Sequence, residues 1–359
     1  MAWYSFKRIH KYNAIYNMII GQRSNGKTYA FKQQALENYI NKGERCAYIR
    51  RYDNDIRPKN LAGLFDVHDI EKLTKGKWNA VDYKKNNFYL CIKIDGKIVA
   101  SDDIAFCNVY ALNTWESTKG ADNGEVTTIC FDEFMTRKAY LTQEFIIFQN
   151  ILSSIIRDRD TATIYMLANT VNKYCPYFKE MGLYNVANMQ PGDIELYTYG
   201  DSGLTVAVEM CAESTNTKKV KKYYAFDNPQ LEMITSGKWE IALYPHPPLS
   251  VTKEDIIKKF YIIFNGNTIC GDIMKTEDYL FILYHYHTGI HKPDKDDVVY
   301  VEQHDGLIKH CKYLSEVRTD LHKLIVDLIR SEREFYTNNE VGEVVRNWKL
   351  NVTHTSVAI

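Results

Sequence analysis

The stretch YNMIIGQRSNGKTYAF, from Tyr16 to Phe31, constrains the chain more than any other. Gly21, Gly26, Lys27 and Thr28 fit G-x-x-x-x-G-K-[ST] without a mismatch, after a short apolar strand and before a helix-permissive run. Glycines at both ends let the backbone curl so that successive N–H groups point inward. The following helix adds its free N-terminal N–H groups and positive dipole end. Such a loop holds phosphates. Lys27 would reach the β- and γ-phosphates of ATP, and Thr28 would hold Mg²⁺ through its hydroxyl.

A strand, a phosphate loop and a helix belong to an α/β fold, and the next hundred residues keep that alternation. AIYNMII, RCAYIRRY, VTTICFDEF and TATIYMLANT read as apolar strands, with a helix from Lys27 to about Asn41 ending at Gly43. Between the last two strands Phe145, Phe148, Leu152 and Ile155 fall on one helical face. NNFYLCIKIDGKIVASD alternates and turns at Asp95-Gly96, which predicts a β-hairpin on or beside the main sheet. At 359 residues the chain exceeds what one core usually serves. We divide it into a P-loop domain over 1–180, a connector or small domain over 181–226, and a smaller α+β domain over 227–359. In the last, KKFYIIFNGNTICGDIM and DVVYVEQHD read as strands and Ser315 to Phe335 as a helix.

A phosphate loop alone does not separate a kinase, a GTPase and a motor; the adjacent acids Asp132 and Glu133 do. At the C-terminal end of a buried strand Asp132 lies near the phosphates and can hold the Mg²⁺ shell. Glu133 can then polarise a water for in-line attack, which a phosphotransferase would avoid. Asn169 ends the next strand and can sense the γ-phosphate. Arg157 and Arg159 in IIRDRD are either an arginine finger or cations at a helix C-terminus. Lys119 is another cation, on a Gly- and Ser-bearing loop. Arg50 and Arg51 either line a nucleic-acid path or pair with local acids.

With 45 basic and 45 acidic residues there is no global basic field, so any contact with nucleic acid is a local patch, such as Lys84-Lys85 or the lysines at 218, 219, 221 and 222. Neither a signal-type apolar region nor a membrane-length apolar run is present, which predicts a soluble intracellular protein. None of the eight cysteines forms a C-x-x-C pair. His285, His287 and His291 could serve a transition metal, but tyrosines surround them and no carboxylate or cysteine completes a clear ligand pattern.

The ordered series IIGQRSNGKTYA, YIRRY, IDGK, WESTKG, TTICFDEF, and IIRDRD followed by LANTVNKYCPYF resembles the genome-packaging (encapsidation) ATPases of phi29-like tailed phages over roughly the first half of the chain. That resemblance implies an additional-strand, catalytic-glutamate P-loop ATPase. It would form a ring, commonly a pentamer, in the host cytoplasm and transiently at the portal vertex of an empty capsid, driving double-stranded DNA inward. ATP and Mg²⁺ would be its cofactors; DNA, the portal and a structural RNA are the partners it brings into view, with no membrane among them. Lys27 and Thr28 become the phosphate and Mg²⁺ ligands, Asp132 the metal carboxylate and Glu133 the catalytic base. Arg157 becomes the trans-acting finger and Lys119 a second candidate across the interface. The C-terminal domain would be a vestigial ribonuclease-H-like fold. Its first strand, FYIIFNGN, offers Phe264 and Asn265 where a two-metal nuclease wants an acid, and Asp272 alone does not hold two metals, so no nuclease is expected. The competing readings are another P-loop ring ATPase, such as a helicase or DNA-loading protein, and a nucleotide-dependent capsid assembly factor with little turnover.

Overall fold

A computed structural model describes residues 4–118, 126–157, 159–212, 239–247, 251–277, 279–289, 293–302, 310–316 and 319–352. Lys119, His291, the lysines at 218–222 and the tail from 353 lie outside the described residues. The chain divides into two units, one reaching Glu240 and the other comprising Lys138–Thr142 and the chain from Ile241 on.

The first unit is built on a ten-stranded sheet. Its strands are β1 (Tyr16–Gly21), β2 (Arg45–Arg50), β3 (Ala80–Lys84), β4 (Asn87–Ile94), β5 (Lys97–Ser101), β6 (Cys107–Ala111), β7 (Val126–Asp132), β8 (Thr163–Asn169), β9 (Ile194–Tyr199) and β10 (Leu204–Met210). The order is β3-β4-β6-β2-β7-β8-β1-β10-β9, with β5 on β4. From β6 to β10 every pairing is parallel. Strands covered on both faces are mostly apolar, and all six residues of β1 are buried, Asn17 among them with its amide donating to Ala14 O at 2.9 Å. The strand β8 sits between the phosphate-loop strand β1 and the acid-bearing strand β7.

Local chemistry sets the element ends. Helix α1 (Lys27–Lys42) buries Phe31, Ala35 and Leu36 on one face and stops at Gly43, whose φ of +73° lets its N–H reach Tyr39 O at 2.8 Å. Asp95 and Gly96, with φ +48° and +76°, make the left-handed two-residue turn that joins β4 to β5. Two single turns, α2 (Pro58–Leu61) and α3 (Ile70–Leu73), follow β2, and α4 (Glu144–Ile156) buries Phe148, Ile151, Leu152 and Ile155 before the short α5 (Pro176–Glu180).

The structure differs from the expected connector at 181–226. β10 pairs in parallel with β1 and β9 returns antiparallel beside it, so this stretch extends the sheet. Its short alternation and turns mimic a linker because β9 is an edge strand, alternately half-buried and exposed. The remainder of that expected connector, 213–238, is outside the described residues, and the second unit's main segment starts at 241 rather than 227.

That second unit carries a five-stranded sheet, ordered β14-β11-β12-β13-β15. An antiparallel meander of β11 (Ile256–Phe264), β12 (Asn267–Lys275) and β13 (Leu280–Tyr286) is flanked in parallel by β14 (Val299–Val301) and β15 (Glu334–Tyr336). The helix expected over 315–335 is shorter, α6 (Asp320–Arg330), started by the Thr319 side chain that accepts from His322 N–H. Its last expected residues form β15 instead, and α7 (Asn339–Val352) follows, with Trp348 fully buried.

A buried ion pair ties Arg51, the residue after β2, to Glu144 on α4. The Arg51 guanidinium donates to Glu144 through Nε at 2.8 Å and Nη2 at 3.0 Å, and to the carbonyls of Glu133 at 3.1 Å and Phe134. Tyr177 Oη donates to the same carboxylate at 3.0 Å, so Glu144 has several donors. Of the two roles open to Arg51, pairing with a local acid is the one observed. Replacing Arg51 by methionine leaves a carboxylate buried without its cation. We expect a loss of about 3–5 kcal/mol in urea unfolding, against under about 1 kcal/mol for removing an exposed pair such as Lys323–Asp320.

Candidate phosphate-binding and hydrolytic site

The parallel strands deliver their C-terminal ends to one place, as open α/β sheets do. Gly21 ends β1 against Cys211, just after β10: a Cβ there would stand 2.6 Å from Cys211 Cβ, which only glycine avoids. The loop then passes through Ser24 (φ +59°) and Gly26 (φ +97°) into α1. Lys27 folds back and is buried, its Nζ donating to Gly21 O at 3.2 Å, Gln22 O at 2.9 Å, Asn25 Oδ1 at 3.2 Å and Asn169 Oδ1 at 3.2 Å. Burial lowers its pKa, opposed by Cys211 and Asp132. All four partners are neutral oxygens, so the ammonium charge stays uncompensated in direct contact. A cavity of about 390 Å³ opens beside it, lined by residues that include Ser24, Lys27, Thr28, Asp132, Glu133 and Asn169.

Thr28 Oγ1 donates to the Asp132 carboxylate, 3.2 Å from Oδ1 and 3.1 Å from Oδ2, across 104 residues of chain. Tyr48 Oη, from β2, donates to Asp132 Oδ2 at 2.7 Å. Burial first, and then the negative Asp132, push the Tyr48 hydroxyl well above its ordinary pKa, so it remains a donor. A hydroxyl and a carboxylate in contact are hard oxygen donors of the kind Mg²⁺ takes beside water and phosphate oxygens.

Glu133 differs from its neighbour in every respect. Its φ is +58°, a left-handed conformation costing a residue with a Cβ about 1–2 kcal/mol. The turn is held by its own N–H donating to Asp132 Oδ1 at 3.1 Å and by Arg51 on its carbonyl. Its side chain is 58% exposed, and Arg50 Nη2 reaches Oε2 at 2.6 Å. Burial alone would lower the Arg50 pKa, but Tyr48, Glu133 and Asp132 together raise it, and it stays charged.

The structure thus brings Gly21, Gly26, Lys27, Thr28, Asp132, Glu133 and Asn169 together. Arg157 is not among the cavity-lining residues. It caps the C-terminus of α4 with φ +52° and is exposed. Arg159 is turned inward instead, donating to the carbonyls of Ile155 and, at 3.0 Å, Ile156. Tyr48 was not assigned from the sequence, and of the two roles open to Arg50, pairing with a local acid is the one observed. Their i, i+2 spacing at the end of β2 puts both on one face beside Asp132-Glu133, but only the β2–β7 pairing reveals which acids they meet. Arg159→Ala should lower the unfolding free energy by about 0.5–1.5 kcal/mol in denaturant titration and leave nucleotide affinity unchanged, because its bonds go to helix-terminal carbonyls.

Comparison with known proteins agrees with this geometry. Residues 1–191 match the family described as Podovirus DNA encapsidation protein (Gp16). The DNA packaging protein of Bacillus phage B103 is 30% identical over 175 residues, 48% of this chain and 49% of that protein. That of Bacillus phage phi29 is 29% identical over 184 residues, 49% of each. These alignments therefore span about half the length of the curated relatives. The chain also shares its fold with a chain of the bacteriophage phi29 viral genome packaging motor assembly, at a TM-score of 0.55 and 20% identity over 98% of this chain and 100% of that one. The family match takes in more than half of the chain and every residue of the polar cluster at the strand ends, and the chain belongs to the Podovirus DNA encapsidation protein (Gp16) family.

Proposed function

We propose that the chain is an ATP-hydrolysing ring motor that translocates double-stranded viral DNA into a preformed capsid. One observation carries the reading: Lys27, Thr28 and Asp132 converge on a single cavity with Glu133 at its edge. The strand β8 inserted between β1 and β7 supports placing it among the additional-strand, catalytic-glutamate ATPases.

In this reading the loop N–H groups and Lys27 bind the β- and γ-phosphates, and Thr28 and Asp132 hold Mg²⁺, which neutralises phosphate charge when bound. Tyr48 keeps the Asp132 carboxylate oriented. Glu133 accepts the proton of the attacking water while the γ-phosphate departs from ADP. Its pair with Arg50 must open first, since the guanidinium sits 2.6 Å from Oε2 and occupies the oxygen that would receive the proton. Asn169 is released when phosphate takes Lys27 away from it, and so registers the nucleotide state. Arg157, exposed and outside its own cavity, acts in a neighbouring subunit's site; Lys119 is the second candidate for that interface. The second unit is a vestigial ribonuclease-H-like domain without nuclease activity: the central acid is on β12, not β11, and faces Lys259 at 3.3 Å. The ring, a pentamer, works at the portal in the host cell, with a structural RNA as a further partner. Among the described residues no helix is long and apolar enough to cross a membrane.

Glu133→Gln should keep ATP binding while lowering steady-state hydrolysis by about 10²–10⁴-fold, and Lys27→Ala should lose both. A Glu133→Gln protein hydrolysing at the wild-type rate removes Glu133 from the base role. Arg157 is tested by mixing. Neither Lys27→Ala nor Arg157→Ala rings should hydrolyse ATP. In rings assembled from equal amounts of both, about a quarter of the interfaces join a sound phosphate loop to a sound finger, and single-turnover hydrolysis returns. Mixed rings that co-assemble and stay inactive would make Arg157 a residue of its own subunit.

A further inference from the structure

The second unit holds a polar cluster that the proposed motor chemistry does not use. Cys270 and Asp272 are two residues apart on β12 and so share one sheet face. Gly271 between them turns to the opposite face, where a Cβ would stand 2.3 Å from the Phe260 ring. On β13 the residue directly opposite Cys270 is His285. The Cys270 thiol donates to Asp272 Oδ1 at 3.3 Å, and His285 Nε2 lies 3.2 Å from Asp272 Oδ2. Sγ, carboxylate oxygen and Nε2 all fall within 4.8 Å of one another. The expectation that no carboxylate or cysteine accompanies these histidines is corrected here. His285 gains both, from a strand 13 and 15 residues upstream that the meander folds beside it.

We propose that Cys270, Asp272 and His285 bind a divalent cation of the zinc class, with three protein ligands and a fourth position open to water. Thiolate, imidazole and carboxylate together are the borderline-soft set that zinc takes, and three protein ligands leave its tetrahedron one vertex for solvent. Zinc–ligand bonds of about 2.0–2.3 Å place tetrahedral neighbours about 3.3–3.6 Å apart. Sγ stands 3.3 Å from Asp272 Oδ1 and Nε2 3.2 Å from Oδ2, so each soft ligand already touches one oxygen of the carboxylate, and a turn of that carboxylate brings a single oxygen between them.

The imidazole is also turned for the task. Tyr286 O lies 2.9 Å from His285 Nδ1, and a carbonyl only accepts, so Nδ1 carries hydrogen and Nε2 is the ligand atom. A backbone carbonyl on the far ring nitrogen is the usual outer support of a metal-bound histidine. Cys270 and Asp272 are 2% and 5% exposed, whereas the His285 side chain is 33% exposed, which leaves an entry path.

The arrangement is not that of a nucleophile. In a Cys–His–Asp enzyme the histidine stands between thiol and acid, whereas here the acid stands between the other two. The charges balance for metal exchange. With Cys270 as thiol, His285 as imidazolium and Lys259 3.3 Å from Asp272 Oδ1, the group totals +1. A divalent cation that displaces the thiol proton and the Nε2 proton leaves the same +1, and two protons go to solvent. Lys259, on β11 and 49% exposed, can swing into water to clear Oδ1. Asp297, before β14, adds negative charge toward Cys270.

The test uses the full chain, chelator-stripped, reduced and free of nucleotide, titrated with Co²⁺ and then Zn²⁺. We expect one equivalent of Co²⁺ with a near-ultraviolet sulfur-to-cobalt charge-transfer band, displaced by Zn²⁺. The band should vanish in Cys270→Ser and persist in Asp132→Asn, which separates this site from the phosphate loop. His285→Gln, a change at a partly exposed position, should weaken Zn²⁺ binding at least about tenfold while circular dichroism stays that of the wild type. A folded wild-type chain with no such band, or a band of equal strength in Cys270→Ser, would overturn the site.

Discussion

The Asp132 carboxylate is the fixed point on which the first unit's chemistry depends. It accepts from Thr28 at the start of α1 and from Tyr48 on β2, and so joins three segments far apart in sequence. Each contact demands a backbone position: β1 must hand over to α1 at Thr28, β2 must run level with β7, and β7 must end at Asp132. The parallel register supplies that, with Tyr48 opposite Cys130 and Phe131 opposite Met166. A buried carboxylate without such donors would cost several kcal/mol, so the cluster contributes to the sheet's register as well as to its chemistry.

Beyond Asp132 the chain changes from a packed strand to a turn aimed at the cavity. Glu133 takes up left-handed backbone because the segment around it is over-determined: Arg51 holds the carbonyls of Glu133 and Phe134 while its own charge is held by Glu144. The buried Arg51–Glu144 pair therefore maintains the strained turn, and the exposed Arg50–Glu133 pair restrains the side chain that the turn presents. Two consecutive arginines serve opposite ends: Arg51 is buried and holds the backbone of the turn, whereas Arg50, 19% exposed, pairs with the half-exposed carboxylate at its tip.

Much of this was legible in the sequence because the signals are local. The phosphate loop, the Asp132-Glu133 pair at a strand end, the apolar face of α4 and the Asp95-Gly96 turn each lie within a few residues. What escaped is set by pairing between distant strands. Nothing near Arg50 shows that Glu133 is its partner, nothing near Leu204 shows that β10 completes the sheet beside β1, and nothing near His285 shows that Cys270 faces it. The alternation of Tyr48 with Arg50 and of Cys270 with Asp272 was visible, but a period of two names a face and not the neighbour across it.

Hydrolysis of ATP by this strand-end cluster to move duplex DNA is the proposed activity. It is tested most directly by phosphate release from the purified chain, alone, with blunt duplex DNA, with single-stranded DNA, and with empty capsids plus duplex. Hydrolysis should be slow with the chain alone, stimulated by duplex rather than by single strands, and fastest when capsid and duplex are both present. Hydrolysis that responds to single strands or forks and ignores duplex and capsid would contradict the proposed activity.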